Sequence, residues 1–240
     1  MGKELSLGAS PNFPSFRYYE PGRNPPGEAR WRIAHRHVLD AAVLLLRAPS
    51  PGEKARWAAA MDMSWRQWLP DYMFTAPASA TGKYHPAWAN RPDGLLLHGL
   101  AVCRVAASLS DLFDIKDAAY NALIFAAWHH DMFKYGDIVN YRDGDMTVHE
   151  HPVLAADFFL LPHVISALGG LGISPAECAG VADMIATHAG PYRSSKFSDY
   201  RLPECAGMLN RLLYKSDYIA SRREDGWIYD QLQEIPMPGQ

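Results

Sequence analysis

The chain has 240 residues, with 23 basic and 26 acidic side chains and a formal net charge of −3. About half is hydrophobic and a fifth charged, which excludes a largely disordered chain and suits one domain, or one domain plus a modest appendage. No broad basic surface follows from this balance, although a local basic patch is compatible with it. Cys103, Cys178 and Cys205 are widely spaced and form no CxxC pair, so neither a zinc ribbon nor a disulfide framework is indicated. Buried free thiols in a reducing compartment are expected.

Residues 1–28 are rich in Pro, Gly and Ser and read as an extended arm, without the basic start and apolar core of a signal peptide. Over 28–47, Trp31, Ile33, Ala34, Val38, Ala41, Ala42 and Leu45 recur at helical spacing, and Pro49 and Pro51 end the helix. Its apolar stretch is broken by Asp40 and falls short of the about 20 residues of a membrane span. A core helix, no membrane and a cytoplasmic location are therefore expected. A second helix is expected over 53–68. The segment 70–93 contains Pro70, Pro77, Gly82, Pro86 and Pro92 and reads as a long irregular loop, of a kind often functional in a compact domain.

Strong helical patterns follow over 94–112, 116–130, 152–168 and 175–188. Pro162 should bend or break the third, and Ser174 before Pro175 is a natural start for the fourth. A last long helix is expected over 203–223 and a shorter one over 225–234. No apolar–polar alternation is long enough to make a strand, and no internal repeat is visible. The expected architecture is all-α, with the arm at 1–28 and a single helical domain over 29–240.

Several polar residues interrupt apolar helices. His98 lies in GLLLHGLAV, His130 and Asp131 end FAAWHHD, and Asp217 interrupts LLYKSDYIAS. An ionised aspartate there costs several kcal/mol unless it is paired, hydrogen-bonded or metal-bound. A lone histidine on such a helix is ordinarily a satisfied core residue. Two interior aspartates together with several histidines point instead to a divalent cation, which satisfies all of them at once. Lys134, in HHDMFKYG, suits a clamp for an anionic group such as phosphate, with a solvated surface lysine as the plain alternative.

Taken in order, a helical histidine, a His-Asp doublet at HDxxK spacing and a late aspartate resemble the HD-domain metal-dependent phosphohydrolases. The resemblance covers about residues 74–223. It implies an HD-type helical bundle with a metal centre in its core, held by His98, His130, Asp131 and Asp217. Some relatives carry two further histidines that bind a second ion. Here His151, at the start of HPVLAADFF, and His188, in MIATHAGPYR, fit those positions, and His149 competes with His151. The full set would then be His98, His130, Asp131, His151, His188 and Asp217, with Asp131 as catalytic bridge between two divalent ions. Mn, Fe, Co or Ni stand ahead of Mg or Zn.

The stretch FTAPASATGKYHPAWANRPDGLLLHGLAV is similar to the lead-in of HD-domain 3′-5′ exoribonucleases and of relaxase-associated HD domains, except that Asp93 stands at a usual glycine and Gly99 at a usual threonine. This implies a hydrolase acting through metal-activated water on a nucleotide or a nucleic-acid 3′ end. Lys83, His85, Lys134 and Arg193 are the candidate substrate contacts. Two other readings stay open: a mixed-valent di-iron oxygenase of the myo-inositol oxygenase type, which shares the six-ligand order, and a non-catalytic metal-binding regulatory module.

Overall fold

The computed structural model describes residues 10–13, 16, 18, 28–115, 117–136, 142 and 144–222. The helix expected over 225–234 and most of the 1–28 arm lie outside them. The described residues are helical, with no strand among them and a single bridge between Ser195 and Ser198.

The helix expected over 28–47 is two: α1, Glu28–Ala34, and α2, Arg36–Leu44. The break falls at His35, whose Nδ1 bonds the Trp31 carbonyl at 2.8 Å while Nε2 reaches Asp93 at 3.4 Å. Apolar periodicity cannot register a ring drawn sideways to a distant carboxylate. Helix α3, Glu53–Gln67, follows as expected, as do α4, Gly94–Leu112, and α5, Asp117–His129. Pro162 starts a new helix instead of bending an old one. Helices α6, His151–Phe159, and α7, Pro162–Gly170, meet at 57°. Helix α8, Pro175–Ala186, opens with a capping box in which Ser174 accepts from the Glu177 backbone and Glu177 accepts from Ser174. The last helix, α9, Met208–Arg222, begins five residues later than the pattern predicts.

Helix α4 is apolar almost all round because neighbours cover it: it packs against α9, α5 and α2. By length and composition alone it could cross a membrane, as could α6 and α7 taken together, but most of the α4 stretch is buried inside the fold. Helix α8 lies on α5 and α6. Trp57, Trp128, Tyr72, Phe125, Phe133, Phe158 and Phe159 fill the centre, many in edge-to-face pairs.

The proline-rich segment 70–93 is ordered by backbone pairing. The Ala78 N–H donates to the Ala89 carbonyl at 2.8 Å, and the Leu95 N–H to Ala76 at 3.0 Å, which fastens the segment to the start of α4. The Tyr72 hydroxyl donates to the Met132 carbonyl at 2.9 Å, so the same segment steadies the turns after α5.

An N-terminal strap crosses α6. Ser10 donates through its hydroxyl to the buried carboxylate of Asp157, and Asn12 bonds the same group through backbone (3.1 Å) and side chain (2.7 Å). Phe16 and Tyr18 then pack on Phe133, and the Tyr18 hydroxyl donates to the Leu154 carbonyl.

Candidate metal centre

Five places in the chain deliver side chains to one point: mid-α4 (His98), the turn closing α5 (His130, Asp131), the start of α6 (His151), the turn after α8 (His188) and α9 (Asp217). Proximity is tight. His98 Nε2 lies 3.0 Å from Asp217 Oδ1 and 3.6 Å from Asp131 Oδ2, and His130 Nε2 lies 3.3 Å from Asp131 Oδ2. On the other side, His151 Nε2 is 3.0 Å and His188 Nε2 3.7 Å from Asp131 Oδ1. The two oxygens of Asp131 thus face two different histidine pairs.

The ring orientations are fixed by backbone. Nδ1 of His130, His151 and His188 bonds the carbonyl of Ala127, Val148 and Ile185 respectively, at 2.6–2.7 Å. A ring that donates from Nδ1 to a carbonyl keeps its Nε2 lone pair, the tautomer a metal ligand needs. The Nε2 of His130 is buried with no hydrogen-bond partner, so a lone pair is aimed into the cluster with no proton to meet it. These residues fit a metal ion.

Neighbouring His129 shows the contrast. Both its nitrogens are occupied, at Ser64 Oγ (2.6 Å) and the Phe125 carbonyl (2.7 Å), and burial pushes its pKa down to about 3. Only the second histidine of the HHD run faces the centre. His149 bonds the Tyr200 carbonyl at 3.2 Å, which favours His151 as the inward residue of that pair.

Electrostatics agree with the geometry. Burial opposes ionisation of Asp131, but the Lys134 ammonium and the imidazole of His130 outweigh it and hold the carboxyl well below the ordinary range. Asp217 is half-buried, and the desolvation that opposes its ionisation is outweighed by the His98 hydrogen bond and the nearby His130, which keep it low. Burial also lowers His98 and His151, keeping them in the neutral form that coordinates.

Lys134 is only 8% exposed, and its Nζ sits 2.5 Å from Asp131 Oδ2, which removes the surface-lysine alternative. A cavity of about 420 Å³ opens onto this cluster, within the range of small-ligand sites. His85 lines it, edge-on to His98 with centroids 4.7 Å apart, and burial together with His98 and Lys134 pushes its pKa down to about 2. The two other expected substrate contacts are set apart. Lys83 is exposed over the ring of Tyr84, and Arg193 spends its guanidinium on the Leu202 carbonyl and Glu204. Neither is among the residues lining the cavity.

Sequence reasoning missed Ser221, which donates to Asp217 Oδ1 at 3.1 Å and meets His85 Nε2 at 3.3 Å, and the tyrosines Tyr214 and Tyr218, which line the cavity. For Tyr214 and Ser221 the spacing of −3 and +4 from Asp217 on α9 is the signal that could have found them, whereas Tyr218, at +1, carries no such mark.

The site defines a protein with a buried histidine–aspartate cluster able to hold metal at the end of a cavity. No family model matches the chain, and no curated protein or solved structure compared with it is significantly similar.

Proposed function

We propose that this chain is a metal-dependent phosphohydrolase of the HD-domain class, acting on a phosphate ester of a nucleotide or of a nucleic-acid 3′ end. The observation that carries the reading is the convergence of His98, His130, Asp131, His151, His188 and Asp217 on one point at the end of a cavity, which Asp131, His151, His188, Asp217 and Lys134 line. The order of these residues along the chain is the order the HD resemblance implies.

The division of Asp131 between two histidine pairs supports a two-ion arrangement. His98, His130 and Asp217 would hold one ion and His151 and His188 the other, with one Asp131 oxygen to each. Divalent ions held by such a set would lower the pKa of water towards about 7 and so would supply a nucleophile at neutral pH.

The chain's own groups do the rest. Lys134 has three ammonium donors, of which Asp131 takes one, and it lines the cavity where an anionic ester would lie. Its charge both holds the carboxylate in place and stabilises negative charge gathering on the ester. His85, kept neutral, presents a hydrogen-bonding ring to the same space without adding charge.

The test is metal analysis of purified protein followed by a screen of nucleotides and short oligonucleotides with Mn, Co, Ni, Mg and Zn, reading released phosphate and chain length. Bound metal and metal-dependent release are expected. Metal-free protein, inactive under every condition, would overturn the reading. Dioxygen uptake by iron-loaded protein in place of phosphate release would move the chain to the oxygenase alternative.

A further inference from the structure

Around the cavity stand aromatic rings that burial cannot explain. Tyr84, Tyr192 and Phe197 are 56%, 58% and 81% exposed, yet all three line the cavity that ends at Asp131. Cations accompany the rings: Lys83 Nζ lies 5.3 Å from the Tyr84 centroid and Lys196 Nζ 4.8 Å from that of Phe197. On α9, Arg222 lies 3.8 Å over Tyr218, and Lys215 flanks Tyr214 at 5.0 Å. Among the described residues, the only carboxylates lining the cavity are Asp131 and Asp217, both within the proposed centre.

Ring beside cation, repeated on separate segments, suits a ligand that alternates flat π faces with negative charge. A base stacks on the ring, and its phosphate meets the neighbouring cation. One mononucleotide has one base to offer, whereas the rings here stand on the 81–85 segment, the 192–197 segment and α9. A lipid surface would be met by aliphatic side chains, and among the described residues Met146 is the only strongly exposed one lining the cavity.

We infer that this rim is a stacking platform for a single-stranded polynucleotide, with Tyr84 and Phe197 each holding a base outside the cavity while the strand's end enters it. The inference rests on the phosphohydrolase reading for which end enters. It accounts for the exposed rings, and it gives Lys83 a place at the rim after the cavity wall denied it one.

The test is fluorescence anisotropy of labelled oligodeoxythymidylate and oligouridylate with the full chain in excess chelator, where hydrolysis plays no part. Unlabelled oligomers and mononucleotides serve as competitors. Tyr84→Ala and Phe197→Ala remove solvent-facing rings, and unchanged helical circular dichroism would verify the fold. Phe113→Ala, an exposed ring away from the cavity, is the control.

The oligomer should bind at least about tenfold tighter than its mononucleotide, each rim substitution should weaken it at least about fivefold, and the control should leave it unchanged. Lys196→Ala should flatten its salt dependence. Equal competition by mononucleotide, or unaltered binding when Tyr84→Ala and Phe197→Ala are combined, would overturn the platform. So would Phe197-dependent binding to phosphatidylglycerol–phosphatidylcholine vesicles in place of oligomer. The two readings fail separately. Oligomer binding without hydrolysis under any metal would sink the hydrolase and keep the platform, and mononucleotide hydrolysis without oligomer preference would do the reverse.

Discussion

At Asp131 the two carboxylate oxygens serve different neighbours: Oδ2 faces His98, His130 and Lys134, and Oδ1 faces His151 and His188. Replacing it by alanine should abolish metal uptake and activity together, as read by elemental analysis and turnover. That change also strands the buried Lys134 ammonium, so a loss of about 3–5 kcal/mol in unfolding free energy is expected alongside. Lys134→Met separates the roles. Metal content should stay normal while turnover falls about 10²-fold, and an unchanged rate would return Lys134 to a purely structural part. His151→Ala should take metal content from two equivalents towards one, whereas His149→Ala, which loses only a bond to a carbonyl, should not. His98, His130, Asp131 and Asp217 were legible in sequence because a charge or imidazole inside an apolar helix is a visible anomaly, whereas His151 and His188, at helix ends, were reached only through the resemblance. Tyr84 and Phe197 were not legible, because an aromatic residue in a sequence carries no mark of whether it faces core or solvent. Arg193 misled for the converse reason: a loop arginine near a ligand motif looks free until its carbonyl and carboxylate partners are seen.

At the scale of elements, two glycines fit the ligand-bearing turns to their neighbours. A side chain at Gly94 would sit 2.1 Å from the Ala89 carbonyl, so α4 starts against backbone that leaves no room. Gly190, at φ +59°, follows His188, and a Cβ there would lie 2.3 Å from the ring of Tyr214 on α9. Gly190→Ala should therefore lower both thermal stability and metal occupancy by pushing the His188 turn away from α9. Normal metal content in that variant would refute the coupling. Asp93 is not a glycine yet holds φ at +69°, with its carboxylate between Arg91 at 3.0 Å and His35 at 3.4 Å. That same pair breaks the first long helix in two, an outcome no local pattern carries.

Helix α8 gives a pH-dependent prediction. Hydrogen bonds from Arg56 hold Glu177 down to about 2, against an ordinary 4.5. A lowered folded-state pKa means its stabilisation is fully present above pH 4.5 and is lost as pH falls towards 2. The stability gap between wild type and Glu177→Gln should therefore shrink across that window in denaturant titrations. Ser174→Ala, which removes the hydroxyl that caps the Glu177 N–H and also bonds its carboxylate, should cost about 1 kcal/mol at neutral pH.

Across the whole molecule, metal and fold should be linked. Ions that bind only the folded chain stabilise it by about 2.7 kcal/mol at a hundredfold excess over Kd, so chelation should lower Tm and manganese or cobalt should restore it. An identical Tm with and without metal would count against the centre. The all-α class was readable from periodicity, but which helices touch was not, since each apolar face fits several partners. The strap was read only as an arm, because its anchor on Asp157 lies 147 residues away. That separation has a consequence for synthesis. At about 5–20 residues per second, roughly 7–30 s pass between the emergence of Ser10 and that of Asp157. During that interval the strap's hydroxyl and amides have nothing to dock on, so the first described part of the chain to leave the ribosome is among the last to find its place.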